Sequence, residues 1–172
     1  MFEAKMKSDS HEHRSMSKPE FDIRRDDPST PDVVELLRDH EAFARRWSFP
    51  ENMYVLDAGE LACDSVCFFA ARERGRLLAV GALRSVADGH VEIKSMHTAS
   101  GERGRGFGKA MLRHLLAAAR DRGNHRVSLE TGTGEAFLPA RTLYLGSGFK
   151  VCPPFGDYGI SSDSVCMTLD LS

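Results

Sequence analysis

The chain has 172 residues, 41% of them hydrophobic and 28% charged, with a formal net charge of −2. That length suits one domain with a real core, and the near balance of charge gives no global reason to expect a nucleic-acid partner. No apolar stretch approaches the roughly 20 residues that span a bilayer, and the opening MFEAKMKSDSHEHRSMSKPE lacks the apolar middle of a secretory signal, so the reading is a cytoplasmic protein with no membrane partner.

Residues 1–18 are polar, charged and short of large hydrophobes, which predicts a disordered N-terminal extension and leaves 19–172 as the domain. Phe21 to Arg25 alternates apolar and polar and reads as a first strand. Pro31 follows Ser29 and Thr30, a helix start, and Val33, Val34, Leu36, Leu37, His40, Phe43, Ala44 and Trp47 continue at helical spacing. SFPENMYVLDAGELAC is read as a connection with a turn at Asp57-Ala58-Gly59. Val66–Arg72 and Leu77–Arg84 form a hairpin about Gly75, and a further turn at Asp88-Gly89 leads into HVEIKSMHT, residues 90–98.

The glycine-rich GERGRGFG then runs straight into an amphipathic helix whose apolar stripe includes Met111, Leu112, Leu115 and Leu116, stopped at Gly123. HRVSLE, residues 125–130, returns as a strand. Strand, helix, strand with a short loop makes the strands before and after the helix parallel. A second helix is expected from about Phe137 to Gly146, then a short strand from Phe149, the loop CPPFGDYGISSD and a closing strand Ser164–Leu171. The four cysteines, Cys63, Cys67, Cys152 and Cys166, lack the paired spacing of a zinc site and read as free thiols. No metal is expected.

A strand, a glycine turn and a helix start make an anion site. The first helical N–H groups have no partner within the helix, the dipole adds positive charge there, and glycines let the backbone curl around a ligand. Arg103, Arg105 and Lys109 add cations, so a phosphate or pyrophosphate is the expected ligand. A P-loop requires GxxxxGK followed by Ser or Thr, but Gly108-Lys109 is followed by Ala110 and Arg103 stands at the first Gly position. A Rossmann turn requires GxGxxG, whereas Lys109 stands where its last Gly belongs. What fits is R-x-x-G-x-G/A, as Arg103-Gly104-Arg105-Gly106-Phe107-Gly108. An RNA-binding RGG-like tail does not fit a segment that runs into an ordered helix.

With VEIKSMHTASGERGRGFGKAMLRHLL and, downstream, LETGTGEAFLPARTLYLGSGFKVCPPFGDY, the chain resembles the GNAT superfamily of acyl-CoA-dependent N-acetyltransferases over about residues 20–171, and within it a small bacterial branch. The resemblance implies an α/β GNAT fold. Its mixed, mostly antiparallel central sheet has six to seven strands, the central parallel pair is splayed around the acyl-CoA site, and helices cover both faces. It implies acetyl-CoA as co-substrate, held by Arg103, Gly104, Arg105, Gly106, Gly108 and Lys109, with Met96, His97 and Thr98 offering backbone groups to the pantetheine arm. It implies direct attack of a primary amine, of a small molecule, amino-acid-like compound or peptide, on the thioester. A homodimer is compatible with the family.

The same resemblance nominates Glu92 as general base and Tyr144, in LYLGSGF, as general acid to the sulfur. The alternatives are a salt-bridged strand residue, with Lys94 on the same face, and a packing tyrosine. The acceptor site is expected from Phe155, Asp157 and Tyr158 in PFGDY, with His40 and Glu130 as further candidates; the alternative for PFGDY is a tight loop shaped by Pro153-Pro154 and Gly156. The Asn that many members carry near the start of the last helix is absent from GTGEAFLPARTLY, where Glu135 or Arg141 stands nearby. The rival function is a non-catalytic acyl-CoA-binding module.

Overall fold

In the computed structural model of the protein, residues 21–48 and 54–172 are described. The extension expected over residues 1–18 lies outside them. Strand β1 (Asp22–Arg25) leads to helix α1 (Pro31–Trp47) and a single-turn helix α2 (Ala58–Leu61), then to strands β2 (Val66–Glu73), β3 (Arg76–Ala87) and β4 (His90–Thr98). A 3-10 turn at Ser100–Glu102 precedes helix α3 (Phe107–Asp121) and strand β5 (Arg126–Gly132). A second 3-10 turn at Glu135–Phe137 runs into helix α4 (Leu138–Gly146), followed by β6 (Lys150–Cys152) and β7 (Ser164–Asp170). Helix α2 stands where a plain connection is expected. Asp57 and Glu60 form a capping box there, each side chain accepting from the other's backbone N–H, which satisfies two otherwise unpaired amides.

The strands form one seven-stranded sheet in the order β1-β2-β3-β4-β5-β7-β6. Only β4 and β5 are parallel, as the helical crossover between them requires. VCFFAA in β2 is apolar without alternation because both faces of the sheet are covered. Val66, Phe68 and Ala70 pack under α1 and Leu61, whereas Cys67, Phe69 and Ala71 join the core beneath α3 and α4. On β4 the period of two sends Val91 and Ile93 to the α3 core, and Glu92 and Lys94 to the opposite face.

Two of the irregularities in the pairing of β4 shape the site. Val80 pairs with His97 and Ala82 with Lys94, so β4 carries one more residue than β3 across this interval, a β-bulge. Ser95 lies in it with φ +50°, a left-handed conformation uncommon for a residue with a side chain, and its buried Oγ has no hydrogen-bond partner. Second, pairing between β4 and β5 is limited to His90–Arg126, Val91–Val127 and Glu92–Ser128. Beyond that point the two strands separate.

Opposite the bulge, Gly81 lets α3 approach the sheet: a Cβ there would stand 3.0 Å from Leu115 Cδ1 and 3.1 Å from Met111 Cγ. Gly81→Val is therefore expected to overpack this contact and lower stability by about 1–3 kcal/mol, a fall of a few degrees in melting temperature for a chain of this size. An unchanged thermal midpoint in calorimetry would show that α3 does not depend on this close approach.

Candidate active site

The separated halves of β4 and β5 enclose a cavity of about 450 Å³, walled also by α1, the turn before α3, and α4. At one end lies the N-terminus of α3. Gly104 and Gly106 have φ of +76° and +88°, a region that glycine enters without a steric penalty. Nothing stands within 4 Å of where a Cβ would be on either, so their outer side is open to a ligand. No side chain caps α3, so the amides of its first turn keep their hydrogen-bonding capacity; α2, by contrast, is capped by Asp57.

The turn itself is anchored from behind. Glu102, buried, is paired with both Arg76 and Arg105. Arg105 is not among the cavity-lining residues, and its guanidinium lies over the Phe107 ring at 5.1 Å. The other members of the expected cradle, Met96, His97, Thr98, Arg103, Gly104, Gly106, Gly108 and Lys109, all line it. Arg103 reaches back to the Thr98 carbonyl at 3.5 Å and to His97 Nε2 at 3.4 Å, with its guanidinium 5.8 Å over the Phe43 ring. Arg141, in the segment where the expected Asn is absent and Glu135 also stands, donates to the carbonyls of Gly132 and Gly134 at 2.6 and 2.8 Å. It thereby fixes the end of β5 where it leaves the sheet.

His40 of α1 meets His97 of β4, their Nδ1 atoms 3.2 Å apart. Arginine only donates, so His97 Nε2 accepts from Arg103, its Nδ1 carries the hydrogen, and His40 Nδ1 accepts it. Both rings are held neutral. Burial, then the neighbouring His97 and Lys94, lowers His40 to about 3; burial, then Arg103, lowers His97 to about 4.

Glu130 lines the cavity from β5, and burial raises its carboxyl above the ordinary range against the opposing pull of Ser164 and Lys94. Tyr144 of α4 is buried at the same cavity. Burial first, and the charge of Glu130 second, keep its hydroxyl protonated far past neutrality. Its ring packs on Phe149, which explains the spacing of LY…GF: a helix turn, a glycine stop and a return into the same core.

Glu92, the nominated general base, lies on β4 two residues before Lys94. It is fully buried and is not among the cavity-lining residues. Its Oε2 accepts twice from Arg84, at 3.1 and 2.8 Å, and Oε1 accepts from the Tyr158 hydroxyl. Lys94, which does line the cavity, stands 3.6 Å from Oε1 and donates to the Tyr54 carbonyl at 2.6 Å and to the Tyr158 hydroxyl at 2.8 Å. Burial lowers the Lys94 pKa. Phe155, Asp157 and Tyr158 are likewise absent from the cavity wall. Tyr158 acts on it through Lys94, Phe155 packs on His90 and Tyr158, and Asp157 is exposed. Sequence reasoning missed Lys94 and Tyr54 as cavity residues. The alternation in VEIK marks Lys94, but nothing in the connecting segment marks Tyr54.

Among the described residues, no helix is long and apolar enough to cross a membrane, and no group of three or more His, Cys, Asp or Glu is arranged to hold a metal ion.

Comparison with known proteins agrees with this geometry. The family model described as the acetyltransferase (GNAT) family matches residues 32–149. The Escherichia coli protein YedL, an uncharacterised N-acetyltransferase, is 40% identical over 151 residues, covering 88% of this chain and 95% of its own. A solved structure from Klebsiella pneumoniae, assigned as an acyl-CoA N-acyltransferase, matches with a TM-score of 0.76 at 26% identity, over 88% of this chain and 98% of that one. A Bacillus subtilis acetyltransferase solved in complex with CoA has the same fold, with a TM-score of 0.64 at 16% identity over 87% and 98% of the two chains. The splayed parallel pair, the uncapped helix behind a glycine turn and the matched family model together identify the chain as a member of the acetyltransferase (GNAT) family, an acyltransferase.

Proposed function

We propose that the chain transfers an acetyl group from acetyl-CoA to a primary amine of a small molecule, amino-acid-like compound or peptide, both substrates bound at once in the cavity between β4 and β5. The observation that carries this reading is the joining of two things in one cavity: an uncapped, glycine-shaped helix N-terminus at one end, and Glu130 and Tyr144 both in its wall. The pyrophosphate would sit on the α3 amides with Arg103 and Lys109 beside it. The pantetheine would run along the unpaired part of β4, where backbone groups have no partner on β5.

In this reading the amine nitrogen attacks the thioester carbon, the C–N bond forms and the C–S bond breaks. Glu130 takes the proton from the nitrogen. Its raised carboxyl is nearer in basicity to an operating pH of 7 than an ordinary glutamate is. Tyr144, kept protonated, gives its hydrogen to the departing sulfur. The base is assigned to Glu130 rather than Glu92 because the Glu92 carboxylate is occupied by Arg84, Tyr158 and Lys94. Glu92 instead fixes the charge and position of Lys94.

Two measurements test this. Gly106→Val forces a branched side chain into a left-handed position and should weaken acetyl-CoA binding by ~10-fold or more, measured by calorimetry, with the fold retained. Unchanged affinity would remove the helix terminus from the donor site. In steady-state kinetics on an amine panel, Tyr144→Phe should lower kcat by ~100-fold or more with little change in the KM for acetyl-CoA. The wild-type kcat/KM should rise with pH as the Glu130 carboxyl loses its proton, and Glu130→Gln should lower kcat/KM by ~100-fold and abolish that acid limb. If Glu92→Gln abolishes the limb and Glu130→Gln keeps it, the base is Glu92.

A further inference from the structure

The register of the β6–β7 pair sets Cys152 directly opposite Cys166. Directly opposed residues of antiparallel strands have Cα atoms about 4.5–5.5 Å apart with side chains on one face, within the span a disulfide closes. The Cys166 thiol also interacts with the backbone amide of Phe155, at the start of the loop that follows Cys152. Both cysteines are free, Cys166 buried and Cys152 half-buried. Cys166 in turn stands opposite Glu130 on β5, so Glu130, Cys166 and Cys152 form one row across three strands on the face that bears the site.

We propose that Cys152 and Cys166 form an oxidation site, which a hydroperoxide converts into a cross-strand disulfide that staples the base of the 153–163 loop. The half-buried Cys152 reacts first. Its sulfur attacks a peroxide oxygen, the O–O bond breaks, and one water leaves with the thiol proton, giving Cys152–SOH. The Cys166 sulfur then attacks Cys152, the S–S bond forms, the S–O bond breaks, and a second water leaves with the Cys166 proton. Two thiols lose two protons and two electrons, and one hydrogen peroxide takes them up to become two waters. An added dithiol reverses the step by exchange.

The staple matters because the loop is otherwise held at that end by a strand of three residues. The loop carries Tyr158, which bridges Lys94 and Glu92, so fixing its base fixes a hydrogen-bond partner of a cavity-lining cation. Burial pushes the Cys166 thiol up to about 11 and raises that of Cys152. Both are protonated at neutral pH, and the pair responds to sustained oxidant rather than to a brief pulse.

The test uses the full chain treated with hydrogen peroxide, alkylated without reduction, digested and mapped by mass spectrometry. A Cys152–Cys166 linked peptide, lighter by two hydrogens and released by dithiothreitol, is expected. It should be absent in Cys152→Ser, while Cys63 and Cys67 remain alkylated. Limited proteolysis within 153–163 should slow by ~10-fold on oxidation and recover on reduction, since loop cleavage follows local opening. Sulfinic acid at Cys152 with Cys166 still alkylated, or a bond to Cys63, Cys67 or a second copy, would overturn the site. A bond that forms without slowing loop cleavage would overturn the staple.

Discussion

Parallel pairing between β4 and β5 stops after Glu92 and Ser128, and every feature of the site depends on that stop. A sheet interior normally leaves no backbone N–H or C=O without a partner, because an unpaired buried group costs about as much as a lost hydrogen bond. Here the bulge at Ser95 breaks the β3–β4 ladder on one side of β4 just where β5 departs on the other. The strand therefore presents backbone groups to a cavity instead of to a neighbour. Such a gap persists only if something else holds the two halves apart. α3 packs closely on the sheet at Gly81 of β3, and Arg141 fixes the far end of β5 through the Gly132 and Gly134 carbonyls.

Two buried carboxylates secure the ends of this gap by the same device. Glu102 pairs with Arg76 and Arg105 behind the glycine turn, and Glu92 pairs with Arg84 and lies beside Lys94 under the 153–163 loop. Glu102 ties the glycine turn to β3 through Arg76, and Glu92 ties the 153–163 loop to the sheet through the Tyr158 hydroxyl. Breaking such a buried pair leaves an uncompensated charge, which costs far more than the pair itself contributes. Loop positions that would otherwise be soft are thereby determined. Glu92 is thus essential to the site's shape on structural grounds, whatever part it takes in proton transfer.

The parts of this arrangement that were legible in the sequence are those written in local patterns. Alternation in VEIK set the faces of β4, helical spacing set α1 and α3, and the glycine turn with LY…GF pointed to the fold and to Tyr144 as a cavity residue. The parts that were not legible arise from pairings between distant segments. The bulge at Ser95 carries no glycine and no proline to announce it. Arg105 sits in the expected cradle by spacing, but it pairs with Glu102 and is not among the cavity-lining residues. The aromatic run of PFGDY suggested a pocket wall, yet Tyr158 commits its hydroxyl to Lys94 and Glu92 instead. Helix α2 could have been found from Asp57-x-x-Glu60, a capping signature hidden in an apparently irregular stretch.

Five ionisable groups along the cavity wall share one tendency, and it bears on the chemistry. Burial raises the Glu130 carboxyl, lowers His40 and His97, keeps the Tyr144 hydroxyl protonated and lowers Lys94. Each shift favours the neutral form, the signature of a site poorly solvated by water. In the proposed reaction a charged ammonium is unreactive and a neutral amine is the nucleophile, so a cavity that disfavours charge favours the reactive form of the acceptor. The transient charges of the transfer, on nitrogen and then on sulfur, arise beside the two groups whose shifts leave them able to accept and to supply a proton. Lys94 keeps its place in this apolar setting because Glu92 lies 3.6 Å away; without that carboxylate, burial would act on its charge unopposed by its nearest anion.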